Sequence, residues 1–259
     1  SFQNTKPNKN ACSAAISACE TSGEWQHAIH LFQASAIPAD VISFSAAISS
    51  CEKAAQWRWA LLLFEQLTEE KLVPDVIIFN AVISSCEKGH QWQRALILLQ
   101  QMRGMGVQPN RVSFNSMMSA FEKGHQWEMA LELLFMNPDL SNPDVFSFSA
   151  AISACEKVGN WQRALHLLYS MSSRRVYPNN FSFNAAMSSC EKGSQWQISL
   201  QLLNSMTSPD VWSFCSCISA CEKSNRWQFA LQLFEDMLEA TILPNQICFN
   251  ALIGACEKG

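Results

Sequence analysis

Residues 76–110 read VIIFNAVISSCEKGHQWQRALILLQQMRGMGVQPN, and most of the chain is a variation on them. Nothing between Val76 and Lys88 breaks a helix, and Gly89 supplies a stop signal. Trp92, Ala95, Leu96, Leu99 and Met102 then recur at helical spacing, which predicts a second helix after a short turn. Pro109-Asn110 closes the stretch, and an Asn between a Pro and a helix is an expected N-cap. The unit reads as a helical hairpin.

The same wording recurs. CEKAAQW starts at Cys51, CEKGHQW at Cys86, FEKGHQW at Phe121, CEKVGNW at Cys155, CEKGSQW at Cys190 and CEKSNRW at Cys221, with CETSGEW at Cys19 and a last copy beginning at Cys256. The register tryptophans Trp25, Trp57, Trp92, Trp127, Trp161, Trp196 and Trp227 are spaced by 32, 35, 35, 34, 35 and 31 residues. A period of this size marks a solenoid. One hairpin cannot bury its apolar face alone, so neighbours must cover it, and small residues such as Ala150, Ala151, Ser153 and Ala154 allow close approach. The expected organisation of residues 1–259 is one continuous all-α array of about seven complete units and a partial eighth. Its bounds are 9–40, 41–75, 76–110, 111–144, 145–179, 180–210, 211–245 and 246–259.

Composition fits an ordered array: of 259 residues, 48% are hydrophobic and 15% charged. No run reaches the roughly 18 apolar residues of a membrane-spanning helix. With 18 Lys+Arg against 22 Asp+Glu the net charge is -4, which argues against a generally basic nucleic-acid binder. Cys19, Cys51, Cys86, Cys155, Cys190, Cys221 and Cys256 share one register. Stacked repeats hold equivalent Cα atoms about 9–10 Å apart, so these are expected as small buried thiols without bridges between copies. Cys215, Cys217 and Cys221 cluster without a nearby His or a CxxC, and no metal is expected. A P-loop, a carboxylate cluster and an HxE…PCxxC signature are missing from the sequence, so no enzyme, cofactor or small-molecule substrate is expected.

The pattern (V/I)xxFNxxIxxxxKxxxWxxALxLxxxMxxxxxxPD, with Phe44, Phe79, Phe114, Phe148, Phe183, Phe214 and Phe249 at its Phe, resembles the pentatricopeptide repeat family over almost the full chain. The tetratricopeptide repeat has a period of about 34 residues and glycine and tyrosine signatures that this chain lacks. The resemblance implies a right-handed superhelical α-solenoid of stacked helix-turn-helix hairpins whose first helices line a groove for single-stranded RNA, one base per unit. It implies base choice by the fifth and last residues of each unit. These are Ser13 with Asp40, Ser45 with Asp75, Asn80 with Asn110, Asn115 with Asp144, Ser149 with Asn179, Asn184 with Asp210, and Cys215 with Asn245; Asn250 opens an eighth pair. By family usage Ser/Asp favours G, Ser/Asn A, Asn/Asp U and Asn/Asn a pyrimidine, which decodes as 5′-GGYUAUNY-3′. Cys215 departs from the pattern and leaves its base open. The second residue, assigned by the family to sandwiching bases, is Ile42, Ile77, Val112, Phe146, Phe181, Trp212 and Ile247. Independently of the family, a turn of about 100° per residue puts positions 2, 5, 9, 12 and 13 of the first helix on one face.

Position 13 carries Lys53, Lys88, Lys123, Lys157, Lys192, Lys223 and Lys258, seven of the chain's ten lysines and a stripe suited to phosphates. Glu52, Glu87, Glu122, Glu156, Glu191, Glu222 and Glu257 precede them and are expected to pair with lysines of adjacent units, blunting the field. The leading expectation is a sequence-preferring single-stranded RNA binder in organellar RNA stabilisation, processing or translation. The alternative is a scaffold or protein-interaction subunit of a large organellar assembly such as a ribosome. A third is a decayed duplicate, in which short units such as the 31-residue copy ending at Asp210 break the one-base-per-unit phase. The family resemblance implies a mitochondrion or plastid. The chain opens without Met and closes after the first helix of a unit, which suggests a piece of a longer array.

Overall fold

The computed structural model describes residues 9–34, 40–136 and 143–258. Among them the regular structure is fifteen α-helices and no strand. They follow as hairpins: α1 (Lys9–Ser22) and α2 (Trp25–Ala34), α3 (Val41–Lys53) and α4 (Trp57–Glu69), α5 (Val76–Lys88) and α6 (Trp92–Gly104), α7 (Arg111–Lys123) and α8 (Trp127–Met136). Then come α9 (Val145–Lys157) and α10 (Trp161–Ser173), α11 (Asn180–Lys192) and α12 (Trp196–Ser205), α13 (Val211–Lys223) and α14 (Trp227–Glu239), with α15 (Gln246–Glu257) last. From α3 to α13 every first helix begins where the repeat pattern places a unit's first residue and ends on the register lysine.

Local chemistry sets these limits. Asp40, Asp75, Asn110, Asp144, Asn179, Asp210 and Asn245 each accept the third residue's backbone N–H on a side-chain oxygen, at 2.9–3.1 Å. Each such N-cap contributes about 0.5–2 kcal/mol to its helix. At the other end Gly89 has φ -84°, so its use is not conformational. A Cβ there would strike the Trp57 indole of the preceding unit, and Gly124 and Gly193 meet Trp92 and Trp161 in the same way. The repeated tryptophan and the glycine of the following unit are one packing feature.

The chain divides into two compact units, Ser1–Gly124 and His125–Gly259. In the first, α1, α3, α5 and α7 pack side by side, and α2, α4 and α6 each lie on their own first helix and the next. In the second, α9, α11, α13 and α15 form the same layer, covered by α8, α10, α12 and α14. Neighbouring second helices meet through long side chains, as where Trp25 faces Trp59 at 6.5 Å and Trp196 faces Phe229 at 4.8 Å. The first-helix layer is closely packed because its facing residues are small: Ala150, Ala151, Ser153 and Ala154 of α9 are all buried. Between the layers sit the fourth-position phenylalanines, of which Phe44, Phe79, Phe114, Phe148 and Phe214 are buried; Phe32 meets Phe44 edge-on at 4.7 Å and Phe64 meets Phe79 at 5.1 Å.

The 31-residue copy loses its residues from the second helix and the following loop. Helix α12 has 10 residues where α10 and α14 have 13, while α11 and α13 keep 13. The first-helix layer is therefore uninterrupted there.

Candidate nucleic-acid interface

The fifth and last residues of a unit come together physically. Asn80 Nδ2 donates to Asn110 Oδ1 at 3.2 Å, and Asn184 Nδ2 donates to both carboxylate oxygens of Asp210, at 3.1 and 3.2 Å. These partners are 30 and 26 residues apart, so the short unit makes the same bond as a full-length one. Asn110 and Asp210 each cap the following helix and also bond the fifth residue of their own unit, so capping and this pairing coexist. Ser45, Asn80, Asn115 and Asn184 are half-buried, Asn250 is exposed, and Ser149 is buried with its hydroxyl 2.7 Å from that of Ser182. The Ser13 side chain lies outside the described residues.

Each compact unit carries its own row of exposed apolar side chains on its first helices. Ile42, Ile77, Val112, Phe146, Phe181, Trp212 and Ile247 are 47–65% exposed, although each immediately precedes a buried third residue. Repeat packing leaves these side chains uncovered. The first row is aliphatic at Ile42, Ile77 and Val112, and the second is aromatic at Phe146, Phe181 and Trp212.

The register lysines are engaged. Lys88 pairs with Glu52, Lys123 with Glu87 at 2.5 Å, Lys192 with Glu156 at 2.5 Å, Lys223 with Glu191 at 2.8 Å and Lys258 with Glu222 at 2.8 Å. Lys53 and Lys157 are exposed. Glu52, Glu87 and Glu156 accept a second bond from Ser84, Ser119 and Ser188 of the following unit, at 2.9, 2.9 and 3.1 Å. Each of these glutamates therefore clasps the next first helix at two points. The lysine stripe presents much less free charge than the sequence count suggests.

The cysteines divide. Cys51, Cys86, Cys155, Cys190 and Cys221 are free and buried, Cys19 is half-buried and Cys256 exposed. Burial pushes the Cys51, Cys155 and Cys190 thiols up to about 12. The expectation of no bridge between copies fails at another pair. Cys215 and Cys248 form a disulfide with their Cα atoms 4.8 Å apart. They occupy non-equivalent positions, the fifth of one unit and the third of the next, where helices approach more closely than at equivalent ones. Cys215, placed by its register among the base-specifying residues, is buried with its sulfur bonded and 3.2 Å from Asn245 Oδ1. No cluster of His, Cys, Asp and Glu suited to a metal occurs among the described residues. Nor is any helix there long and apolar enough to cross a membrane.

The third-position residues escape the helical-wheel reading, because they lie off the face that carries positions 2, 5, 9, 12 and 13. Ser113 Oγ donates to Asn80 Oδ1 at 2.5 Å and Ser213 Oγ to Asn184 Oδ1 at 2.8 Å. The recurrence of Ser at this place, in Ser43, Ser113, Ser147, Ser182 and Ser213, is the signal that could have found them.

Stacked helical hairpins of about 35 residues define a helical-repeat protein. The PPR repeat family profile matches residues 74–123 and 209–258, the pentatricopeptide repeat domain profile residues 29–89 and 136–192, and the PPR repeat profile residues 112–136. The chain belongs to the pentatricopeptide repeat family. Its fold is similar to that of the pentatricopeptide repeat protein PPR10 from maize, with a TM-score of 0.72 and 19% identity over 95% of this chain and 36% of the maize chain. This chain thus spans about a third of that protein's length. The structure of PPR10 in complex with an 18-nt psaJ RNA element gives a TM-score of 0.64 at 21% identity, with the same coverage. The PPR domain of Arabidopsis thaliana protein-only RNase P 1, solved in complex with tRNA, gives 0.54 at 17% identity over 61% of this chain and 83% of that domain. No curated protein sequence matches the chain.

Proposed function

We propose that the chain binds single-stranded RNA with base preference, one base per unit, and serves RNA stabilisation, processing or translation in a mitochondrion or plastid. The observation that carries this reading is the pairing, in units 76–110 and 180–210, of an exposed apolar second residue (Ile77, Phe181) with a fifth residue bonded to the unit's last residue. An exposed ring at the second position, such as Phe146, Phe181 or Trp212, offers a stacking surface with a contribution of about 1–3 kcal/mol per base. The amide or hydroxyl beside it reads the edge of an unstacked base. Relatives of the same fold solved with RNA support the reading. The chain acts by binding and carries no catalytic step of its own.

The test is a binding comparison between 5′-GGYUAUNY-3′ and a scrambled oligomer. One good base contact separates right from wrong bases by about 1–3 kcal/mol, so at least about a fivefold preference is expected, the lower end for a single contact. Equal affinities refute the code. The glutamate clasps on the lysines favour a second reading, in which the groove or the outer face serves as a protein scaffold in a large organellar assembly. Crosslinking of the native protein separates the two by whether RNA or protein is recovered from the first-helix face.

A further inference from the structure

In both compact units the fifth residue of one first helix meets the third residue of the next. The contact is Asn80 with Ser113, Ser149 with Ser182, Asn184 with Ser213, and Cys215 with Cys248. Helix geometry accounts for it. Positions 3 and 5 are separated by about 200° at about 100° per residue, so in a row of helices one points backward and the other forward.

We propose that the third-position serine is a specificity-positioning residue: it fixes which way round the preceding unit's reading amide presents itself to a base. This inference rests on the RNA-binding reading. Ser113 N–H donates to the Asn110 side chain at 3.1 Å, so the atom there is Oδ1. An oxygen at that place requires a donor from Asn80, and Asn80 Nδ2 supplies it at 3.2 Å. Asn80 Oδ1 is then the atom that faces Ser113 Oγ at 2.5 Å. Ser113 is fully buried, and its Oγ accepts the Asn110 N–H at 3.1 Å. Its one hydroxyl hydrogen goes to Asn80 Oδ1, the nearest acceptor; Asn110 Oδ1 lies farther, at 3.2 Å. An amide has two hydrogens and two lone pairs. The network uses one of each and leaves Asn80 one donor and one acceptor in fixed places for a base edge.

The second compact unit repeats the arrangement around Asn184, with a difference. Asp210 is acceptor-only and takes Asn184 Nδ2 on both oxygens, so that amide is held by the carboxylate as well as by Ser213. At Ser149 the contact joins two hydroxyls: its Oγ lies 2.7 Å from Ser182 Oγ, which is also 2.9 Å from Asn179 Oδ1.

The experiment uses the chain carrying Ser113→Ala or, separately, Ser213→Ala, titrated with 5′-GGYUAUNY-3′ oligomers in which base 3 or base 6 is changed one at a time. Ser113→Ala is expected to cut the pyrimidine-over-purine ratio at base 3 about fivefold, the worth of one hydrogen bond, and to leave base 6 untouched. Ser213→Ala is expected to act only at base 6, and less, because Asp210 still holds the amide. An unchanged ratio at base 3 overturns the inference. So does an equal loss of affinity for every oligomer, which is what a serine serving only as a helix cap produces. A wild-type chain that binds all the oligomers alike overturns the RNA reading itself, and that failure is seen in the unsubstituted protein.

Discussion

Freeing the groove lysines from their glutamates is expected to steepen the salt dependence of RNA binding. Glu52, Glu87 and Glu156 hold Lys88, Lys123 and Lys192 of the following units and also accept Ser84, Ser119 and Ser188. Replacing the three by Gln keeps an acceptor for each serine and removes the charge that competes with phosphate. For a single strand, each lysine that meets a phosphate adds about 0.7 to the slope of log affinity against log salt. The triple variant should therefore be steeper than the wild type by about 2, and each single variant by about 0.7. Partly exposed pairs of this kind are worth at most about 1 kcal/mol each, so the fold survives the change. Fluorescence anisotropy of a labelled oligomer over a KCl series measures the slope directly. An unchanged slope in the triple variant refutes the phosphate-facing assignment. A wild-type slope already near about -5, the value for seven unrestrained lysines, refutes the restraint.

Two other predictions concern the folded chain itself. Ser50 Oγ and Ser189 Oγ are buried without a hydrogen-bond partner, and Ala120, Ala154, Ala220 and Ala255 stand at the same place in other copies. Ser50→Ala and Ser189→Ala should each stabilise by about 1 kcal/mol in urea melts, and a loss of stability would refute the orphan-hydroxyl account. Burial raises the thiols of Cys51, Cys155, Cys190 and Cys217 to about 12 and those of Cys86 and Cys221 to about 11, from 9.0. The native state then holds protons that the unfolded chain releases above pH 9, so this stability is complete below pH 9 and is lost as pH rises towards 11–12. The loss is up to about 1.4 kcal/mol per pH unit for each thiol, and urea melts whose midpoint is flat from pH 8.5 to 10.5, about the first half of that window, would count against it.

The hairpins are legible in the sequence because their determinants are local. A Pro-Asp or Pro-Asn cap starts each later first helix and a run of helical-period apolar residues follows, so α5, α7, α9, α11 and α13 begin where the pattern places them. Gly89 is legible as a helix end but not for its cause, since the indole it accommodates belongs to Trp57, 32 residues upstream. The exposed second-position row is legible in the same way, because residues one helix places on one face stay there. Contacts between neighbouring units are only half legible. Family resemblance pairs Asn184 with Asp210, but a helical wheel orders the residues of one helix and says nothing of which position of the next helix lies opposite.

That phase is set by how far each second helix and loop carry the chain before the next first helix begins. Partner separations accordingly range from 26 residues for Asn184 and Asp210 to 36 for Glu52 and Lys88. Comparing equivalent register positions correctly keeps Cys190 and Cys221 apart and yet misses Cys215 and Cys248, because the fifth position of one helix lies against the third of the next. The stacking that makes that bridge possible is the same one that sets Ser113 against Asn80. Under the RNA reading, what a unit can offer a base is thus decided by its successor as much as by its own fifth residue. The seventh unit's Cys215 sulfur is spent on Cys248 of the eighth, and under the RNA reading Trp212 remains exposed there as a stacking surface without a hydrogen-bonding fifth side chain beside it. That unit should hold its nucleotide by the ring face, which every base possesses, and tolerate all four bases at position 7 of the oligomer with affinities within about threefold of one another, short of the roughly fivefold worth of one hydrogen bond.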